Sequence, residues 1–332
     1  EEYLLNFENT VIVISHDRHF LNKICTHMVD IDYQKAQLYV GNYDFWQQSS
    51  QLAQELRSAE NKKKEDKAKE LESFIMRFSA NASKSKQATS RKKQLEKLTL
   101  DDLPLSTRKS PKILFQQKRE AGDIILEVKD LSHSVNGVKI LENVSFSLKK
   151  GDKAIIVGTD EIAKTLLLQI LTGEIIPDSG NIKWGVTINY AYLPKDHNHY
   201  FENKDLNLID WLREYSEDKS ENFIRSFLGR MLFSGEETLK KCNVLSGGER
   251  VRCMLARMML LYPNMLILDG PTNHLDLESI SALNNAVLDF GGTVLFTTHD
   301  QYFAQTVSNR LLEIKDKVLI DHQVSYESYF GQ

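Results

Sequence analysis

The sequence predicts an α/β domain over residues 123–332, preceded by a basic helical arm at 49–122 and by the end of a second copy of that domain at 1–48. Three observations predict it. KAIIVGTDEIAKTLLLQIL at 153–171 places an apolar strand before a short loop and an apolar helix after it. VIVIS at 11–15 leads into His16-Asp17 as TVLFTTHD at 293–300 leads into His299-Asp300, and the text that follows repeats too: HDRHFLNKICTHMVDID against HDQYFAQTVSNRLLEIK, then GNYDFW against VSYESYF. Between the copies, residues 49–98 hold no Gly or Pro.

Taken in order, residues 1–9 read as the end of a helix and VIVIS as a short β-branched, buried strand. The acidic EEYLLNFENT, without an initiator methionine, reads as a chain entered in mid-domain rather than as a signal peptide. The arm reads as two helices with a break near SANAS at 79–83, where Ser and Asn compete for backbone hydrogen bonds. Past Pro104 and Pro111 the text is linker-like, and from Asp123 the alternation in IILEVKDL opens the complete domain.

Charge is unevenly spread. The whole chain carries −4, yet residues 55–119 hold 18 Lys and Arg against 9 Asp and Glu, so the remainder carries −13. From Arg77 to Lys97 there are seven basic residues and one acid, Glu96. Lys84, Lys86, Arg91, Lys92 and Lys93 gather at the expected helix break, where a hairpin tip can neutralise backbone phosphates and read the shape and charge of RNA rather than its bases. A solvated hairpin is the plainer alternative. Cys25, Cys242 and Cys253 have neither zinc-site nor disulfide spacing and fit a reducing, cytoplasmic setting. The most apolar stretch, Cys253 to Leu268, is broken by Arg257 and Pro263 and is too short to span a bilayer.

The strand–loop–helix at 153–171 is a phosphate-loop context. Gly158, Thr159, Asp160, Glu161, Ile162 and Ala163 lie where backbone N–H groups and a helix N-terminus face an anion; Lys164 meets terminal phosphates, and Thr165 offers its hydroxyl to Mg²⁺. VLSGGERVRCMLARMMLL at 244–261 sets Leu245, Ser246, Gly247, Gly248 and Glu249 before a long helix, a second set of N–H groups aimed at an anion. LILD at 266–269 ends in Asp269, suited to hold Mg²⁺ through water, and His299 closes its own strand, placed for a γ-phosphate contact. Each could be structural alone; four in this order point to bound ATP and Mg.

These motifs carry a resemblance. Residues 123–332 resemble an ATP-binding cassette with a helical signature subdomain, LSGGE being the signature, LILDGPTNHLD the second nucleotide motif and His299 the switch histidine. The whole chain resembles the ABC-F family, in which two cassettes are joined by a basic helical arm, and NASKSKQATSRKKQLEKL, PTNHLDLESI and LGRMLFSGEE resemble its YbiT-like branch. The resemblance implies ribosome association, with rRNA and tRNA met by the arm reaching toward the peptidyl-tRNA site. It also implies that ATP is sandwiched between the phosphate loop of one cassette and the signature of the other. This chain therefore supplies one ATP half-site, and the first cassette is the expected partner.

Four positions depart from the cassette pattern. The catalytic carboxylate position holds Gly270, the position that usually supplies Gln holds Lys195, the phosphate loop has Ala163 in place of Gly, and the adenine-stacking aromatic is Val135. A positive φ at Ala163 would cost about 1–2 kcal/mol. Loss of a positioned general base removes roughly 10²- to 10⁴-fold in rate, whereas Lys164, Thr165 and Asp269 still offer charge-assisted contacts. Lys195 either adds a cation near the phosphates or is a solvated surface lysine. The expectation is a cassette that binds ATP and hydrolyses it slowly or not at all. Two other functions stay open: the nucleotide-binding subunit of a membrane transporter, and a non-catalytic docking module.

Overall fold

The computed structural model describes residues 2–32, 34–78, 90–93, 95, 108–202 and 205–331. They fall into two compact units, Glu1–Arg108 and Lys109–Gln332.

In the first unit a short helix α1 (Glu2–Leu5) precedes α2 (Arg18–Ile24), an antiparallel hairpin β1 (His27–Asp32) and β2 (Lys35–Val40), and the 36-residue helix α3 (Tyr43–Phe78). At 1.5 Å per residue α3 is about 54 Å long. It begins at Tyr43 rather than at residue 49 because Asn42 accepts the Phe45 N–H at 3.1 Å and the first turn buries Tyr43, which lies under Arg18 of α2, and Trp46, whose Nε1 donates to Asp30 of the hairpin at 3.1 Å. Arg108 lies 4.7 Å over the Trp46 ring and pairs with Asp30. The expected break at 79–83 lies outside the described residues. VIVIS does not form the buried strand that its composition predicts: residues 11–17 take no regular structure, and Ile12 and Ile14 are 92% and 96% exposed. A buried parallel strand needs a parallel neighbour to pair with and cover on both faces, and the described residues of this unit offer only the antiparallel β1–β2 hairpin.

The second unit packs two sheets on either side of one helix. A three-stranded antiparallel sheet runs β4 (Val138–Lys149), β3 (Ile124–Val135), β6 (Ser179–Trp184). A six-stranded sheet runs β11 (Val318–His322), β10 (Arg310–Lys315), β5 (Lys153–Val157), β9 (Thr293–Thr297), β8 (Met265–Asp269), β7 (Tyr190–Leu193), parallel throughout except for the β10–β11 hairpin. Every residue of MLILD and TVLFT is buried, as central parallel strands covered on both faces require. The helix α4 (Glu161–Leu171) follows β5 and buries Leu166, Leu167, Leu168, Ile170 and Leu171 between the two sheets.

A helical lobe follows β7: α5 (Leu208–Arg213), α6 (Glu221–Arg230) and α7 (Gly247–Leu260). Its centre is Trp211, fully buried, stacked on Phe201 at 4.7 Å and donating Nε1–H to the Tyr200 carbonyl at 2.8 Å. After β8 come α8 (Leu277–Asp289), α9 (Gln301–Val307) between β9 and β10, and α10 (Tyr326–Phe330) after β11. Residues 109–122, linker-like in sequence, pack on this unit: Lys112 N–H donates to the Arg230 carbonyl at 2.8 Å, Lys118 N–H to that of Tyr262 at 3.1 Å, and Phe115 meets Phe290 edge-on.

The sequence repeat has a matching local geometry in each unit. Asp17 caps α2 by accepting the Phe20 N–H at 3.1 Å, and Asp300 caps α9 by accepting the Phe303 N–H at 2.8 Å. Each seven-residue helix then runs into an antiparallel hairpin and a helix opening on Tyr43 or Tyr326.

Candidate nucleotide site

The carboxyl ends of β5, β8 and β9 and the start of α4 bring the predicted residues together. β5 is followed by Gly158, whose φ of +151° and close approach leave no room for a side chain, since a Cβ there would lie 2.5 Å from the Ile314 carbonyl oxygen. Thr159 and Asp160 are exposed in the turn, and α4 begins at Glu161. Ala163 sits inside that helix and is not among the residues with positive φ, so the strain expected of an alanine there does not arise.

The turn does not leave its donors free. Asp160 caps α4, its carboxylate accepting the N–H groups of Ile162 at 2.9 Å and Ala163 at 3.1 Å. These are two of the groups that the sequence assigns to phosphate, and an aspartate just ahead of a helix is a preferred cap for the same electrostatic reason that a phosphate is a preferred ligand.

The cations are engaged as well. Lys164, 6% exposed, donates its ammonium to Glu161, the first residue of its own helix. Lys195, from the loop after β7, reaches the other oxygen of Glu161 at 3.2 Å, and His299, beyond β9, lies 3.3 Å from that same oxygen. Lys195 is thus not simply a solvated lysine. Burial raises the Glu161 pKa, but the Lys164 hydrogen bond and charge, the His299 charge and the Lys195 hydrogen bond outweigh it and hold the carboxyl below its ordinary value.

Asp269 ends β8 fully enclosed. One carboxylate oxygen accepts from the Thr297 hydroxyl at 2.6 Å, while the other is buried without a hydrogen-bond partner. The neighbouring Tyr192 hydroxyl is likewise buried and unpartnered, and burial followed by the Asp269 charge pushes its pKa far up. An orphaned carboxylate oxygen fits a hydrated Mg²⁺, with the half-buried Thr165 on the first turns of α4 as its companion.

Gly270 has φ +59°, and its N–H is held by Thr297 through both the hydroxyl at 2.9 Å and the carbonyl at 3.2 Å. A Cβ at this position would meet Asn273 Nδ2 at 2.6 Å. The residue is therefore more than a missing side chain: the backbone takes a conformation that suits glycine. Val135 ends β3 opposite Val138 in the Asn136-Gly137 turn, 36% exposed.

A model of the family described as ABC transporter matches residues 141–273, spanning the phosphate-loop turn, the LSGGE segment and β8, and a second model with the same description matches residues 29–115. The chain overlays the ATP-binding subunit of an ABC transporter with a TM-score of 0.51, covering 62% of this chain and 93% of that one at 21% identity. A nucleotide-free ATP-binding cassette from an ABC transporter gives 0.50, with 62% and 94% covered at 18% identity. The second unit has the fold of an ATP-binding cassette.

Relatives match along nearly the whole chain. The ABC transporter ATP-binding protein YkpA of Bacillus subtilis (strain 168) is 59% identical over 330 residues, 99% of this chain and 61% of that protein. The ATP-binding protein YbiT of Escherichia coli O157:H7 is 42% identical over 330 residues, 99% and 62%. The ABC transporter F family member 5 of Arabidopsis thaliana is 30% identical over 339 residues, 99% and 48%. The chain thus spans about three-fifths of the length of the first two.

The LSGGE segment opens α7. Leu245 is buried, and Ser246 and Glu249 form a reciprocal cap in which the Ser246 hydroxyl accepts the Glu249 N–H at 3.3 Å and the Glu249 carboxylate accepts the Ser246 N–H at 2.9 Å. Lys240 pairs with Glu249 at 2.8 Å. Gly248 is required by a close approach, because a Cβ there would lie 2.7 Å from the His274 carbonyl, while Gly247 faces the His274 ring. No hydrogen bond or ion pair among the described residues joins the signature to the Glu161 cluster. Of the basic arm residues, Arg91, Lys92 and Lys93 form an exposed helical turn, and Lys84 and Lys86 lie outside the described residues. No helix among the described residues is long and apolar enough to cross a membrane.

Proposed function

We propose that this chain is part of an ABC-F protein whose second cassette binds Mg-ATP with weak or absent hydrolysis, and which works at the ribosome through its basic arm. The observation that carries the reading is Gly270, held at φ +59° by Thr297 where a catalytic carboxylate is expected, while Lys164, Thr165 and Asp269 remain at their stations. When bound, Mg²⁺ would neutralise charge on the phosphate oxygens; Asp269 and Thr165 are the residues to hold it. Lys164 and His299 bind and orient the terminal phosphates, Ser246 to Glu249 present the signature to the first cassette, and no side chain at 270 can take a proton from an attacking water.

The relative named as an F family member and the basic segment support the ribosomal part of this reading, since tandem cassettes joined by a cationic arm have a use on RNA that a transporter subunit does not. Sedimentation of the full-length protein in Mg-ATP, with purified ribosomes in one tube and inverted membrane vesicles in another, tests it. The protein is expected in the ribosome pellet. Recovery with the vesicles alone would instead favour a transporter subunit.

A further inference from the structure

Glu161 is surrounded in a way that its place in the helix does not demand. A glutamate at the start of α4 with a lysine three positions on forms an ordinary pair along one helix. That accounts for Lys164, which donates to one carboxylate oxygen. It does not account for Lys195 and His299, which arrive from the loop after β7 and the end of β9 and converge on the other oxygen at 3.2 and 3.3 Å. Three cationic or protonatable groups from three separate elements meet one carboxylate, and the adjacent Asp160 takes two N–H groups at the same helix end. Both halves of an anion cradle, side-chain cations and backbone donors, are thus satisfied by two neighbouring carboxylates of the loop itself.

We infer that Glu161 is a built-in anion standing in for the terminal phosphate of a nucleotide, so that the site discriminates against nucleoside triphosphate and in favour of diphosphate. The inference rests on the reading of this cluster as a nucleotide site. A triphosphate must either displace Glu161 from Lys164, Lys195 and His299 or share those groups with it, and two anions competing for one set of cations oppose each other. A diphosphate still meets Lys164 through its β-phosphate but brings no γ-phosphate to compete for His299 and Lys195. The penalty falls on the γ-phosphate, and Glu161 sets the preference.

Glu161→Gln keeps the shape of the side chain and removes its charge at a residue whose side chain is 41% exposed, so the fold should be retained. Calorimetric titration of the wild-type chain and this variant with Mg-ATP and with Mg-ADP reads the preference. The variant is expected to bind ATP about tenfold more tightly than the wild type, and ADP within about threefold of it, a tenfold change being 1.4 kcal/mol. Thermal melts in inorganic phosphate give a readout that needs no nucleotide: Glu161→Gln should be stabilised by phosphate, the wild type should not, and adding Lys164→Ala should remove the effect. If neither nucleotide binds either protein but phosphate still stabilises Glu161→Gln alone, the nucleotide reading fails and the internal anion stands. If ATP and ADP gain equally, or if nothing changes in either assay, Glu161 is a helix-pair residue and the inference is overturned.

Discussion

Gly270→Glu is expected to raise ATP turnover by the full-length protein on the order of 10²-fold or more, while lowering the stability of the second cassette by about 1–2 kcal/mol. The gain follows from placing a carboxylate at the end of β8, one residue beyond Asp269, where it can orient and deprotonate water. The loss follows from the backbone: φ is +59°, and Thr297 holds the N–H at 2.9 and 3.2 Å, so the chain cannot easily relax. The contact between the new Cβ and Asn273 Nδ2 is a lesser obstacle, because that atom is the free end of a side chain and can rotate away. Phosphate release at saturating Mg-ATP and a urea melt of parent and variant measure the two effects. Turnover no faster than the parent, in a variant that remains folded, would show that position 270 is not where the carboxylate belongs.

Replacing Lys84, Lys86, Arg91, Lys92 and Lys93 by Gln is expected to weaken ribosome binding strongly at low salt and to flatten its salt dependence. Each phosphate contact contributes roughly 0.7–0.9 to the slope of log affinity against log salt. If each of the five side chains meets one phosphate, they account for about a 10²- to 10³-fold loss between 50 and 200 mM salt. Lys92 and Lys93 sit on an exposed helical turn, so their removal should not disturb packing. Filter binding to ribosomes across a salt series compares the two proteins. Equal slopes would mean that the arm charges only solvate the helix.

The central strands were legible because burial on both faces leaves uninterrupted apolar runs, as in MLILD and TVLFT, and the phosphate-loop turn was legible because its strand and helix flank it in sequence. The same rule misled at VIVIS: an apolar run marks a strand that wants neighbours, and the described residues around it supply none. α3 starts earlier than the sequence suggests because Asn42, Tyr43 and Trp46 read as a repeated motif rather than as a cap and an amphipathic first turn. At the candidate site, Lys164, Asp269 and His299 stand out by sequence pattern, while Glu161 reads only as a loop position. The acidic pair Asp160-Glu161 was a signal that this loop carries its own anions. What no local pattern shows is that Lys195 and His299, far apart in sequence, end on the same carboxylate oxygen. Gly270 looked like a deleted side chain, and only the backbone angle shows a position shaped for glycine.

The chemical identity of the nucleotide retained by the cassette tells holding from burning most directly. With γ-labelled Mg-ATP at saturating concentration and no ADP present, rapid filtration of the wild-type chain after an incubation of many minutes, followed by chromatography of the bound fraction, should recover intact ATP, and Lys164→Ala should retain no label. Bound nucleotide recovered as ADP with released phosphate, or the absence of any retained label on the wild-type chain at saturating ATP, would contradict a cassette that keeps its triphosphate uncut.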